Sequence, residues 1–218
     1  RNCTIRLFTI TAADGKTPLW CRMILPANFD STKQYRSLTY VYNGPNVQLI
    51  HNQFPESGNL WYEYMAQHGY VVFTMDGRGS WNRGLDFEQA TFRRLGDVEL
   101  KDQLKGVEFL QSLPYVDAGR MGIHGWSYGG FMTTSMMLKH PDVFKCGVAG
   151  GPVMDWKMYP NMVTLDCRIR QFSEFNPDST AGSSTGIALP LNSSTREFAA
   201  RKAADRTSSR TSLKPLRT

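Results

Sequence analysis

One serine in the chain sits in a setting suited to nucleophilic attack: Gly125-Trp126-Ser127-Tyr128-Gly129-Gly130, preceded by Met121-Gly122-Ile123-His124 and followed by Phe131-Met132-Thr133-Thr134-Ser135-Met136-Met137-Leu138. An apolar run that breaks at a glycine and restarts as a Met-rich, helix-forming segment reads as a buried strand turning sharply into a helix, with Ser127 at the apex. This is the G-x-S-x-G nucleophile elbow. Lifting a hydroxyl above a sheet needs a strained turn. The residues two before and two after the serine must therefore carry hydrogen in place of a side chain, which Gly125 and Gly129 supply. Gly130 lets the helix lie close to the strand. The chemistry is acyl transfer, in which the serine oxygen attacks a carbonyl once a base takes its proton and hydrogen-bond donors meet the developing oxyanion.

The flanking elements must position that serine. Residues 7–10 and 19–25 are apolar runs around the turn Ala13-Asp14-Gly15-Lys16, which predicts an antiparallel hairpin closed by Pro26. Residues 37–42 form a β-rich run that empties into Asn43-Gly44-Pro45, and loops at strand C-termini are where α/β folds place chemistry. Residues 60–68 are helix-like, with Trp61, Tyr64 and Met65 on one face, and Gly69 stops them. Residues 70–75 are the continuous apolar run of a strand covered on both faces.

Asp76-Gly77-Arg78-Gly79-Ser80 follows as a tight loop in which Asp76 and Arg78 are expected to act structurally, through salt bridges or carbonyl contacts. Residues 97–113 predict a helix with Asp97 as N-cap and an apolar stripe at Leu100, Leu104, Val107 and Leu110, ended by Pro114. The elbow helix runs to Lys139, and residues 144–149 are a further strand ending at Gly150-Gly151-Pro152. Strands alternating with helices predict a mostly parallel sheet, and with the elbow this is the α/β-hydrolase fold, helices on both faces.

Composition divides the chain of 218 residues. Every Trp, Tyr and His lies before residue 160, whereas residues 160–218 hold runs such as Ser183-Ser184-Thr185 and Arg206-Thr207-Ser208-Ser209-Arg210. The expected organisation is a partial α/β-hydrolase domain over 1–159 and a Ser/Thr/Arg-rich tail over 160–218, disordered or out of frame. Nine Lys or Arg against five Asp or Glu give the tail +4 of the chain's +6, so the basic balance is scattered and gives no nucleic-acid surface. Cys3, Cys21, Cys146 and Cys167 show neither metal-ligand spacing nor a disulfide framework and read as buried thiols. No metal or cofactor is expected, and no apolar run reaches the 18 or so residues of a membrane span. Starting at Arg1, the chain reads as part of something longer.

Four motifs in this order and spacing, Val41-Tyr42-Asn43-Gly44-Pro45, Asp76-Gly77-Arg78-Gly79-Ser80, Arg94-Leu95-Gly96 and the Trp-Ser-Tyr elbow, resemble the catalytic domain of the dipeptidyl peptidase IV branch of the prolyl oligopeptidase family of serine peptidases. The resemblance covers about residues 1–159. It implies Ser127 as nucleophile, the Tyr42 hydroxyl and Tyr128 N–H as oxyanion hole, and Val153, Trp156 and Tyr159 with Tyr128 as the pocket for a proline ring. The implied partner is a peptide with proline near its N-terminus, and the implied parent protein is extracytoplasmic, periplasmic or secreted.

Beyond Tyr159 the resemblance stops: Val163 stands where the family carries a further pocket tyrosine. In α/β-hydrolases the acid and histidine follow the serine in the chain. The only histidine after Ser127 is His140, thirteen residues along, about 20 Å at the rise of a helix. His51, His68 and His124 precede the serine and read as loop or packing residues, and Asp155 is a candidate acid without a base. The sequence therefore predicts a proline-selective peptidase domain, incomplete at its C-terminal side and inactive as this chain. A non-catalytic binding module and an esterase or lipase are the alternatives, and Tyr42 with the Asp76–Ser80 loop favours the peptidase over the esterase. Without the later strands, residues 144–149 are expected to be an exposed sheet edge open to self-association.

Overall fold

The computed structural model describes residues 3–52 and 60–154, together with the backbone of 187–190. Strands β1 (Thr4–Thr11) and β2 (Pro18–Leu25) form the predicted hairpin. Its turn is tied by the Asp14 carboxylate, which accepts from the Lys16 and Thr17 amides, while Gly15 takes a positive φ of 77°. Then follow β3 (Tyr35–Tyr40), α1 (Trp61–Gln67), β4 (Tyr70–Met75), the short α2 (Leu85–Glu88), α3 (Val98–Ser112), β5 (Val116–Trp126), α4 (Tyr128–Lys139), β6 (Cys146–Gly150) and β7 (Ile187–Pro190).

The sheet order is β1-β2-β4-β3-β5-β6-β7. The central strands β4, β3, β5 and β6 are parallel, and β1, β2 and β7 join antiparallel at the sides. This is the α/β-hydrolase fold. Alternation along β4 divides the core between the two faces. Val71, Phe73 and Met75 pack with Leu100, Val107 and Leu110 of α3 and Phe131, Met132 and Met136 of α4. Val72 faces the other way, with Ile24 and with Tyr62 and Ala66 of α1.

Five expectations change. The α1 face read from Trp61, Tyr64 and Met65 is largely exposed, Trp61 at 43% and Tyr64 at 54%, and the helix buries Tyr62 and Ala66 against the sheet in its place. β3 ends at Tyr40, two residues early, because Asn43 adopts a left-handed φ of 56° and draws Val41 and Tyr42 into the loop. Asp97 occupies the N-cap position of α3 without a side-chain cap bond; its carboxylate pairs with Lys101 one turn on, at 3.0 Å. Cys146 is exposed, since Gly147 and Ala149 turn toward α4 and leave Cys146 and Val148 on the opposite face of β6. Finally, β6 is no edge: Ile187–Pro190 pairs with it antiparallel, so these four residues of the predicted tail form a strand. The remainder of the tail lies outside the described residues. α2 left no periodic signal, being four residues with one buried apolar side chain, Phe87.

Candidate active site

β5 delivers Ser127 to the end of the sheet, and α4 starts at the next residue. Ser127 is half-buried, with φ 58° and ψ −115°, a backbone conformation that non-glycine residues rarely hold. Two backbone bonds hold it there: its N–H donates to the Gly150 carbonyl at 2.8 Å, and its carbonyl accepts from Phe131 N–H at 3.1 Å. The flanking glycines are required by a neighbour as well as by the turn. A Cβ on Gly125 or Gly129 would run into the carbonyl oxygen of Val41. The elbow therefore rests on the backbone leaving β3, which fixes where Tyr42 stands relative to Ser127.

That contact brings together Tyr42, Ser127 and Tyr128. The Tyr42 and Tyr128 rings lie 6.2 Å apart between centroids, and Gly44 fits only without a side chain, its Cβ position being 2.5 Å from Tyr42 Cε1 and 3.2 Å from Tyr128 Cβ. Ser127 and Tyr128 also stand at the positive end of the twelve-residue α4, a site that favours negative charge. Val153 is half-buried against the main core. Trp126, the residue before Ser127 and 61% exposed, lays its ring over Gly150 and Gly151 at the end of β6. Trp156 and Tyr159 lie outside the described residues, as does Asp155.

Behind the site, α3 supplies three buried polar residues that the sequence reading missed. Glu99, fully buried, accepts the Tyr128 hydroxyl on Oε1 at 2.5 Å and the Gly96 N–H on Oε2 at 2.9 Å. Burial pushes its carboxyl up to about 7, against the pull of these two donors. Gln103 Nε2 donates to Asn43 Oδ1 at 2.7 Å and to the Met75 carbonyl at 3.2 Å. Asp102 accepts from Arg78 N, Nε and Nη2 at 3.0, 2.9 and 2.8 Å and from the Ala13 amide at 3.1 Å. Arg78 also reaches Asp14, and hydrogen bonding to Asp102 raises its pKa further. Asp76 accepts the Leu49 and Ile50 amides, each at 2.8 Å, so the Asp76–Ser80 loop is pinned by ion pairs and backbone contacts. The missed signal is the spacing of 99, 102 and 103, one face of a helix beside its apolar stripe, which without tertiary context reads as a solvated surface.

The four histidines make other contacts. His124 is half-buried among Tyr40, Tyr62 and Trp61 on the α1 side of the sheet, and desolvation lowers its pKa to about 4. His51 Nε2 donates to the Gln48 carbonyl and His68 Nδ1 to the Tyr64 carbonyl, while His140 closes the far end of α4. Among the described residues no three His, Cys, Asp or Glu side chains gather as a metal site, and no helix is long and apolar enough to cross a membrane.

Comparison with known proteins bears on this geometry. The sequence profile of the prolyl oligopeptidase family matches residues 59–182. Human dipeptidyl peptidase 8 is 36% identical over 154 residues, 70% of this chain and 17% of that protein. Mouse prolyl endopeptidase FAP is 37% identical over 150 residues, 68% of this chain and 19% of that protein. A solved structure of a Bacteroides ovatus protein, assigned as a dipeptidyl aminopeptidase IV, is 54% identical with a TM-score of 0.74, covering 81% of this chain and 25% of that one. The chain spans about a fifth of the length of the curated relatives it matches.

Proposed function

The chain belongs to the prolyl oligopeptidase family of serine peptidases, in its dipeptidyl peptidase IV branch, and from that premise we propose that it carries the nucleophile and oxyanion half of a site releasing N-terminal Xaa-Pro dipeptides. Ser127 Oγ attacks the proline carbonyl carbon, and the Tyr42 hydroxyl with the Tyr128 N–H stabilises the tetrahedral oxyanion. Collapse breaks the C–N bond to the following residue, leaving the dipeptide as an acyl-enzyme on Ser127 and releasing the rest of the peptide as an amine that takes the serine's proton by way of a base. The family resemblance assigns the proline pocket to Val153, Trp156, Tyr159 and the Tyr128 ring. The observation that supports this reading is the contact of Gly125 and Gly129, which flank Ser127 and Tyr128, on the carbonyl of Val41, the residue before Tyr42, with the Tyr42 and Tyr128 rings 6.2 Å apart. An oxyanion donor contributes roughly 10²–10³ in rate.

Turnover also needs a base, and each described histidine is engaged elsewhere, so this chain alone is expected to hydrolyse proline anilides at background. Serine proteases lacking a triad member retain roughly 10³–10⁴ over water. The experiment is a Gly-Pro or Ala-Pro anilide assay with Ser127→Ala as control. Serine-dependent turnover of about 1 s⁻¹ or more would reveal a base outside the described residues and overturn the inactivity.

The same histidine contacts favour a second reading, an α/β-hydrolase-like module kept for binding. A fluorophosphonate probe separates the two: Ser127-dependent labelling supports a residual hydrolase site, and its absence supports the binding module.

A further inference from the structure

Two of the buried polar residues on α3 stand one turn apart, at i and i+4, and each ends on a different arm of the site. Glu99 grips the hydroxyl of Tyr128. Gln103 grips Asn43, the residue directly after Tyr42, which is buried and held at a left-handed φ of 56°. We propose that Glu99 and Gln103 are positioning residues that set the spacing of the two oxyanion donors, Glu99 through the Tyr128 ring and Gln103 through the Asn43 turn. The inference rests on the assignment of Tyr42 and Tyr128 as those donors.

The elbow and the loop after β3 are separate pieces of chain, and each contains a strained residue, Ser127 and Asn43, that would relax without a brace. Their direct contact runs through the Val41 carbonyl against Gly125 and Gly129 and through Gly44 against Tyr128, which sets how close they come. The polar bonds to α3 add direction to that contact. Tyr128 is the first residue of α4, so fixing its hydroxyl fixes the orientation of the helix's first turn and its amides. Asn43 accepts the Gln103 amide on Oδ1, and Gln103 is itself anchored on the end of β4 by the Met75 carbonyl. Both braces come from one rigid fifteen-residue helix. A misplacement of about 1 Å can cost 10²-fold in rate, so a shared brace has mechanistic value.

The test compares Glu99→Leu, Glu99→Gln, Gln103→Leu and Tyr128→Phe in the full chain. Amide hydrogen exchange is read over residues 41–46 and 125–130, alongside fluorophosphonate labelling of Ser127. Glu99→Leu and Tyr128→Phe are expected to speed exchange about tenfold at 125–130 and leave 41–46 near the parent rate, with Gln103→Leu giving the reverse. Glu99→Gln keeps an acceptor for Tyr128 and is expected to restore parental exchange. Combining Glu99→Leu with Tyr128→Phe is expected to add nothing to either alone. Equal loosening of both segments in every variant, or no change in either, would overturn the proposal. If Glu99→Leu does not fold, Tyr128→Phe removes the same bond from the other side. Failure of Ser127 to label in the parent chain would remove the hydrolase reading, while the exchange split still decides the brace.

Discussion

At the residue scale, the site is a balance between donors and burial, and Glu99 shows it most clearly. Two donors point at its oxygens, yet with no exposure the carboxyl sits near 7 against an ordinary 4.5. A folded pKa above the unfolded one means that the native state binds the extra proton. The stability it brings is full below about 4.5 and is lost as pH rises through 7, roughly 3 kcal/mol in all. Glu99→Gln is therefore expected to flatten the decline in melting temperature between about pH 5 and 8, and parallel slopes in parent and variant would contradict this. Ser127 and its flanking glycines were legible as an elbow because the glycines are fixed by sterics, whereas Tyr42 entered only through the family resemblance. The reason for those glycines was only half legible, since the Val41 carbonyl that excludes a Cβ comes from eighty-odd residues away. Gly129→Ala is accordingly expected to cost roughly 3 kcal/mol in denaturant unfolding, as an overpacked contact between backbones that cannot yield.

At the element scale, α3 performs two jobs from two faces. Its stripe of Leu100, Val107 and Leu110 builds the core, and its polar face braces the loops at the ends of β3, β4 and β5. The first was legible as period-3.6 patterning. The second was not, because a carboxylate that will be buried against an arginine from another loop looks like any surface carboxylate until the chain is folded. The same blindness placed Asp97 as a cap, where the electrostatically equivalent partner was Lys101. The Asp102–Arg78 pair gives the measurable consequence: Asp102 has no exposed side chain and Arg78 only 16%. Asp102→Ala should cost up to about 3–5 kcal/mol by leaving the half-buried guanidinium with the partly exposed Asp14 in place of its buried partner, whereas Asp102→Leu combined with Arg78→Met should recover a large part of it. A double variant as unstable as the single one would show that the pair's charge is not the issue.

At the scale of the whole molecule, the sheet's closure depends on a strand that composition argued against. Residues 160–218 lack the aromatic and aliphatic density of the front of the chain, and yet Ile187–Pro190, Ile-Ala-Leu-Pro, is a short apolar island that pairs with β6 through four registered residue pairs. A composition average over the tail hides four residues, and backbone pairing needs no more than an unsatisfied edge to recruit them. Without β7, β6 would present such an edge, its other neighbour being β5, and Val148 is 49% exposed on the face away from α4. Terminating the chain after residue 154 would then strip β7 from the sheet and leave the β6 ladder open. That shortened chain is expected to associate as concentration rises in sedimentation velocity, while the full chain associates less. Val148→Lys in the shortened chain should suppress the association, because a charge on an edge strand opposes pairing with a second copy. If the shortened chain stays monomeric and melts as cooperatively as the full one, β7 contributes nothing to closing the sheet.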